Sequence, residues 1–175
     1  MTHNRTIYRD TVRPEWVDYN GHLRDAFYML IFSLATDAFM DRIGLDDAAR
    51  TSRGRSLFTL EAHINYLHEI KEGTAVRVEA SVLAFDAKRV HLYMEMFADE
   101  GTQPIAASEQ MLLHVDTTNG AKSAAFDTDI AGHIEAMFSD AQKEAPKEAR
   151  YAGRVIGLPS GPRASAAASD GTKPA

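Results

Sequence analysis

Eleven consecutive residues without a charge, Ala26 to Thr36, constrain this chain more than any other stretch. Apolar side chains recur at Phe27, Leu30, Ile31, Leu34, Ala35 and Ala38, the stripe of a helix, and Tyr28, Met29, Phe32 and Phe39 widen it. A helix apolar on nearly every side has to be wrapped by other structure. The spacing predicts a helix from His22 to Ile43, stopped by Gly44 behind the basic Arg42. Asp25 and Asp37 bracket the uncharged run, which is too short to cross a bilayer. The helix therefore belongs inside a water-soluble protein.

What surrounds it reads as strands. Thr6 to Val12, ahead of Pro14, suits an edge strand. Asp46 to Arg55 reads as a polar connecting loop. Ser56 to Ile70 alternates, with Phe58, Leu60, Ala62, Ile64 and Tyr66 on one face and Thr59, Glu61, His63 and Asn65 on the other. Thr74 to Phe85 puts Val76, Val78, Ala80 and Val82 inward. Val90 to Met96 and Ala107 to Val115 follow, with turns at Glu72-Gly73, Asp86-Ala87-Lys88 and Asp99-Glu100-Gly101. Hairpin-length connections predict antiparallel neighbours throughout these four strands. One sheet and one apolar helix bury each other's faces, which gives an α+β domain with the sheet curled around the helix, the hotdog arrangement. Ile130 to Phe138 adds a short amphipathic helix, and Arg154 to Leu158 an apolar patch that docks on the body. The domain is expected over residues 1–158, with residues 159–175, rich in Ala, Ser, Gly and Pro, as a disordered tail.

Composition excludes several functions. The net charge of −6 and scattered basic residues speak against a nucleic-acid surface. With no cysteine there is no disulfide framework, thiol nucleophile or thiolate zinc site. His63 and His68, five apart on a strand, fall on opposite faces, so no metal is expected. The amino-terminal residues carry no apolar signal segment, and the reading is cytoplasmic with no membrane association.

Chemistry concentrates just ahead of the helix, where Trp16, Asp18, Tyr19, Asn20, Gly21 and His22 fall within seven residues. A carboxylate there meets free N–H groups and the favourable end of the helix dipole. Asp18 or Asn20 as a plain cap is the simple alternative. The density of polar groups favours function: Asp18 as general base or nucleophile, with Gly21 and His22 offering N–H groups to an oxyanion. His22 either bonds the reacting carbonyl or contacts a neighbouring strand. Glu61 and His63 form either a site wall completed by a second subunit or a solvated outer face.

The run Trp16-Val17-Asp18-Tyr19-Asn20-Gly21-His22, with Tyr28 and Phe32 behind it, resembles the signature of hotdog acyl-CoA thioesterases. Glu61-Ala62-His63-Ile64-Asn65-Tyr66-Leu67 and Asp86-Ala87-Lys88-Arg89-Val90-His91-Leu92 narrow the resemblance to the betainyl-CoA thioesterases of carnitine degradation. The resemblance implies catalysis by Asp18, hydrolysis of betainyl-CoA to glycine betaine and CoA, and no cofactor beyond the substrate's own CoA. It also implies a homodimer or homotetramer. Arg24-Asp25 departs from the family, where two asparagines often follow the Gly-His pair. A permanent cation in the acyl group calls for aromatic faces, for which Trp16, Tyr19 and Tyr66 are available, with Glu61 as counter-charge. Arg55, Lys88 and Arg89 are candidates for the CoA phosphates. Two rivals remain: a hydratase of the same fold, and a non-catalytic module that binds acyl-CoA as a sensor.

Overall fold

The uncharged run does become the central helix of the protein, whose computed structural model describes residues 5–143 and 149–157. The elements are β1 (Thr6–Thr11), a single 3-10 turn (Pro14–Trp16), α1 (Asp25–Arg42), α2 (Asp47–Arg53), β2 (Arg55–Tyr66), β3 (Ala75–Phe85), β4 (Arg89–Ala98), β5 (Pro104–Asp116), β6 (Lys122–Ser123) and α3 (Thr128–Lys143). The sheet runs β1-β3-β4-β5-β2, antiparallel throughout, with β6 on the end of β5. It curls around α1, the α+β hotdog fold. Ile31, Phe32, Ala35 and Phe39 of α1 are fully buried against Val78, Leu92, Met94, Met96 and Leu112 of the sheet. The expected disordered tail, residues 159–175, lies outside the described residues.

Four expectations need correction. The helix begins at Asp25 and not at His22, because the residues before it are extended: Val17 bridges Leu23, and His22 bridges Lys71. The stretch expected to be a loop holds a short helix, α2. Asp46 caps it by accepting the Ala49 N–H at 2.8 Å, and Gly54 ends it at φ 60°, a left-handed conformation suited to glycine.

The third correction concerns topology. β2 and β3 are not hairpin neighbours: β2 pairs with β5 at one edge of the sheet, and β3 pairs with β1. Residues 67–74 carry the chain from one side to the other past the start of α1, where the Leu23 N–H donates to the Ile70 carbonyl at 2.9 Å. That crossing is what brings a second segment up to the Asp18 loop.

The fourth is a β-bulge at Leu60, where Thr59 pairs with Leu112 but Glu61 with Met111. The extra residue splits the expected apolar face. Thr59, paired with the core residue Leu112, shares the helix side with Ala62, Ile64 and Tyr66, whose partners Gln110, Ser108 and Ala106 are buried. Phe58 falls with Leu113 on the outer, convex face, as do Glu61, His63 and Asn65. β2 is also the free edge, and Phe58, Leu60 and Tyr66 are exposed along it.

Candidate active site

Asp18 organises a closed five-residue loop. Its Oδ1 accepts the N–H of Asn20 at 2.8 Å and of His22 at 3.1 Å. The Asp18 N–H donates to the His22 carbonyl at 2.8 Å, and the Gly21 N–H to the Asp18 carbonyl at 3.0 Å. Gly21 makes this turn at φ 76°, where a β-carbon would be strained. The loop is pinned from below by the crossing segment: the Glu72 N–H donates to the Gly21 carbonyl at 3.3 Å. Oδ2 has no hydrogen-bond partner among the described residues, so one oxygen of a fixed carboxylate is left unengaged.

These bonds set the electrostatics. The His22 N–H, foremost, and the Asn20 N–H hold the Asp18 carboxyl below the usual carboxylate range against the opposing effect of desolvation; the nearby His22 and Arg24 add to the lowering. The group is ionised at neutral pH, as a base or nucleophile must be. The same bonds correct the expected oxyanion site, since the N–H groups of Gly21 and His22 are spent on Asp18 itself. At the start of α1 the Ala26 N–H is taken by the Asp25 carboxylate and the Phe27 N–H by the Arg24 carbonyl. The His22 ring reaches toward Glu69, 3.6 Å from Nδ1.

Of the expected aromatic faces, one is well placed. Trp16 is buried, stacked on Phe27 at 5.8 Å with the Arg13 guanidinium 4.6 Å from its ring centre, so it is a core residue and not a cage wall. Tyr19 is 94% exposed at the loop tip. Tyr66 packs edge-on against Tyr28 at 5.4 Å, and its hydroxyl lies 3.5 Å from the carbonyl oxygen of Asp25, the first residue of α1. Tyr28, expected in the helix's apolar stripe and in the signature, donates its hydroxyl to the His68 carbonyl at 3.0 Å and so braces the crossing segment.

Tyr66 also lines a cleft of about 650 Å³ at the β2 edge, with Met29, Ile64, Glu61, His63 and Arg154. A second cavity of about 310 Å³ on the convex face shares Glu61, His63, Arg154 and Val155 with it and adds His91 and Glu109. Glu61 and His63 thus belong to a cavity wall. Neither of these two cavities is lined by Asp18, and no hydrogen bond or ion pair among the described residues joins Glu61 or His63 to it.

The expected phosphate ligands divide. Arg55 is committed to Asp116 and lies 3.8 Å from Asp127. Arg89 is clasped by Asp86, whose carboxyl is held down at about 2, with the Arg89 side chain the largest cause. Both guanidiniums are engaged by carboxylates, and of these three candidates the exposed Lys88 alone has no side-chain partner among the described residues.

Residues 12–146 match the model of the thioesterase-like superfamily. The chain belongs to that family. It is a thioester hydrolase. Its relatives include the betainyl-CoA thioesterase of Pseudomonas aeruginosa, 50% identical over 91% of this chain and 98% of that one. An L-carnitine dehydrogenase/betainyl-CoA thioesterase of Agrobacterium fabrum is 43% identical over 63% of this chain but 22% of the other. Among solved structures, a putative thioesterase of Pseudomonas putida is 50% identical with a TM-score of 0.76, covering 88% of this chain and 96% of that one. A Staphylococcus aureus protein solved in complex with CoA is 28% identical with a TM-score of 0.77, over the same shares. Among the described residues no helix is long and apolar enough to cross a membrane.

Proposed function

We propose that this enzyme hydrolyses short acyl-CoA thioesters, betainyl-CoA foremost, with Asp18 as its catalytic carboxylate. The observation that carries the reaction is Asp18 itself: ionised, fixed through Oδ1, and free at Oδ2. Acting as base, Oδ2 takes a proton from water as the water oxygen attacks the thioester carbon; the C–S bond then breaks and the CoA thiolate leaves with a proton. Acting as nucleophile, Oδ2 attacks the same carbon, the C–S bond breaks to release the CoA thiolate, and water then opens the mixed anhydride to the free acid and the Asp18 carboxylate. His22, on the same loop, is the donor candidate for the thioester oxygen, and the positive end of α1 adds a favourable dipole.

The 50% identity to the Pseudomonas aeruginosa enzyme supports betainyl-CoA as the substrate. The cleft at the β2 edge supports it physically, since it holds an exposed aromatic face, Tyr66, together with a carboxylate, Glu61. A quaternary ammonium cannot shed its charge, and burial among aliphatic groups alone would be very unfavourable. Tyr66→Leu and Glu61→Gln should each lower the ratio of kcat/KM for betainyl-CoA over tert-butylacetyl-CoA, its uncharged isostere. A cation–π contact of about 0.5–2 kcal/mol makes the drop a few-fold to about thirtyfold. An unchanged ratio in both variants would remove betaine from the reading and leave thioester hydrolysis standing. Release of free thiol from a panel of acyl-CoA esters also separates this reading from a hydratase or a sensor, which release none.

The free edge of β2, twelve residues long with three exposed large apolar side chains, is an unfinished sheet. Pairing of two copies through it would set the clefts at the subunit boundary and let one protomer's Glu61 and His63 serve the other's Asp18. Sedimentation should find a dimer or a larger closed assembly, and a persistent monomer at micromolar concentration would refute the pairing.

A further inference from the structure

The segment 149–157, which follows α3, takes no part in the hotdog sheet yet crosses its convex face. The Tyr151 backbone meets the hydroxyl of Tyr93 on β4, and burial foremost pushes that phenol well up. Two residues on, the Gly153 N–H donates to Glu109 Oε2 on β5 at 2.7 Å. Arg154 and Val155 then line both cavities beside β2, and Ile156 reaches the larger one. The path therefore runs over β4, β5 and β2 in order and ends at the cleft that holds Glu61 and Tyr66.

Glu109 is the fixed point of that path. Its second oxygen, Oε1, lies 2.6 Å from His91 Nε2, so one carboxylate ties a strap residue to a β4 side chain that lines the same convex cavity. Gly153 takes the bend at φ 66°, a conformation that most side chains avoid. Beyond the Tyr151 contact with Tyr93, the Gly153 N–H is the strap's tie to the sheet, and the exposed Val155 and Ile156 follow directly from it.

We propose that residues 149–157 are a strap forming the outer wall of the acyl-head cleft, and that Glu109 is the positioning residue that latches it. This rests on the reading of the β2-edge cleft as the acyl site. The strap determines how closely the head group is enclosed, so its loss should weaken recognition of a bulky head group and spare the chemistry at Asp18.

The test uses the full chain carrying Glu109→Ala, which removes the latch, or Gly153→Pro, which removes the donated N–H and forbids the bend. Each should lower the kcat/KM ratio of betainyl-CoA over acetyl-CoA about tenfold, the scale of one charge-assisted hydrogen bond. The loss should fall mainly in KM. Glu109→Gln, which still presents an acceptor to Gly153, should recover most of it. An unchanged ratio in both folded disruptive variants overturns the strap, as does an equal loss on both substrates, which would mark a general structural defect. Should the parent enzyme fail on betainyl-CoA, the substrate reading falls by itself. The strap is then judged by the same ratio for the bulkiest acyl group the enzyme accepts.

Discussion

Replacing Asp18 by Asn is expected to lower kcat/KM for any accepted acyl-CoA by about 10²- to 10⁴-fold, the usual worth of a positioned general base. Asparagine is the informative choice. Its amide oxygen can still accept the N–H groups of Asn20 and His22, so the loop keeps its shape while the charge is lost. Ala would remove both bonds and confound chemistry with loop order. Circular dichroism and thermal unfolding of the Asn variant should match the parent. Turnover near the parent's would exclude Asp18 as the reacting group.

The same bonds predict the pH dependence. They stabilise the ionised form, so the folded carboxyl titrates below its unfolded value. Its stabilising effect is present above the unfolded value and is lost as pH falls through the lower, folded one. The acid limb of kcat/KM should follow that folded value, below the ordinary range for aspartate. A limb near neutrality would point to a different group.

The elements legible in the sequence were those with an uninterrupted period. The Val76 to Val82 and Val90 to Met96 alternations took their expected faces, buried against α1, whereas the uncharged helix is turned: Tyr28, Ile31, Phe32, Ala35 and Phe39 are buried, and Leu30 of the expected stripe is exposed. What escaped was decided by tertiary contact. The alternation in β2 gives no sign that Leu60 is an extra residue, since a bulge is set by register with β5. The β2–β3 connection has the polar look of a turn, and only the packing of Ile70 against Leu23 shows that it crosses the molecule.

The buried polar set of β5 was equally hidden. Ser108 and Gln110 point at the helix, where Gln110 Oε1 accepts the Thr36 hydroxyl at 3.0 Å. Such a pair reads as surface until both partners are known. At the site, Asp18, Asn20, Gly21 and His22 came together because they are neighbours in sequence. The amides of Gly21 and His22 are not left for an oxyanion, because the Gly21 N–H goes to the Asp18 carbonyl and the His22 N–H to the Asp18 carboxylate. Trp16 lies in the core and not in a cage, since aromatic character says nothing about which rings cover it.

The central helix supplies the second large effect. Phe32→Ala is expected to destabilise the enzyme by about 3–5 kcal/mol, the usual range for a fully buried phenylalanine whose cavity the surroundings cannot fill. Phe32 has no exposed surface, and it lies one helical turn before Thr36, which bonds both the Phe32 carbonyl at 2.9 Å and Gln110. Collapse around the missing ring would have to break that buried pair, so relaxation should be slight. Against a total of about 5–15 kcal/mol for a domain, the loss removes a large share of stability. Leu30, two residues earlier, keeps 37% of its surface exposed within the chain, and Leu30→Ala should cost well under half as much. Urea midpoints at a fixed, shared protein concentration would compare the two, since any assembly links stability to concentration. Equal losses at both positions would mean that Leu30 is covered in the working enzyme, and a second chain over that side of α1 would then be the first place to look.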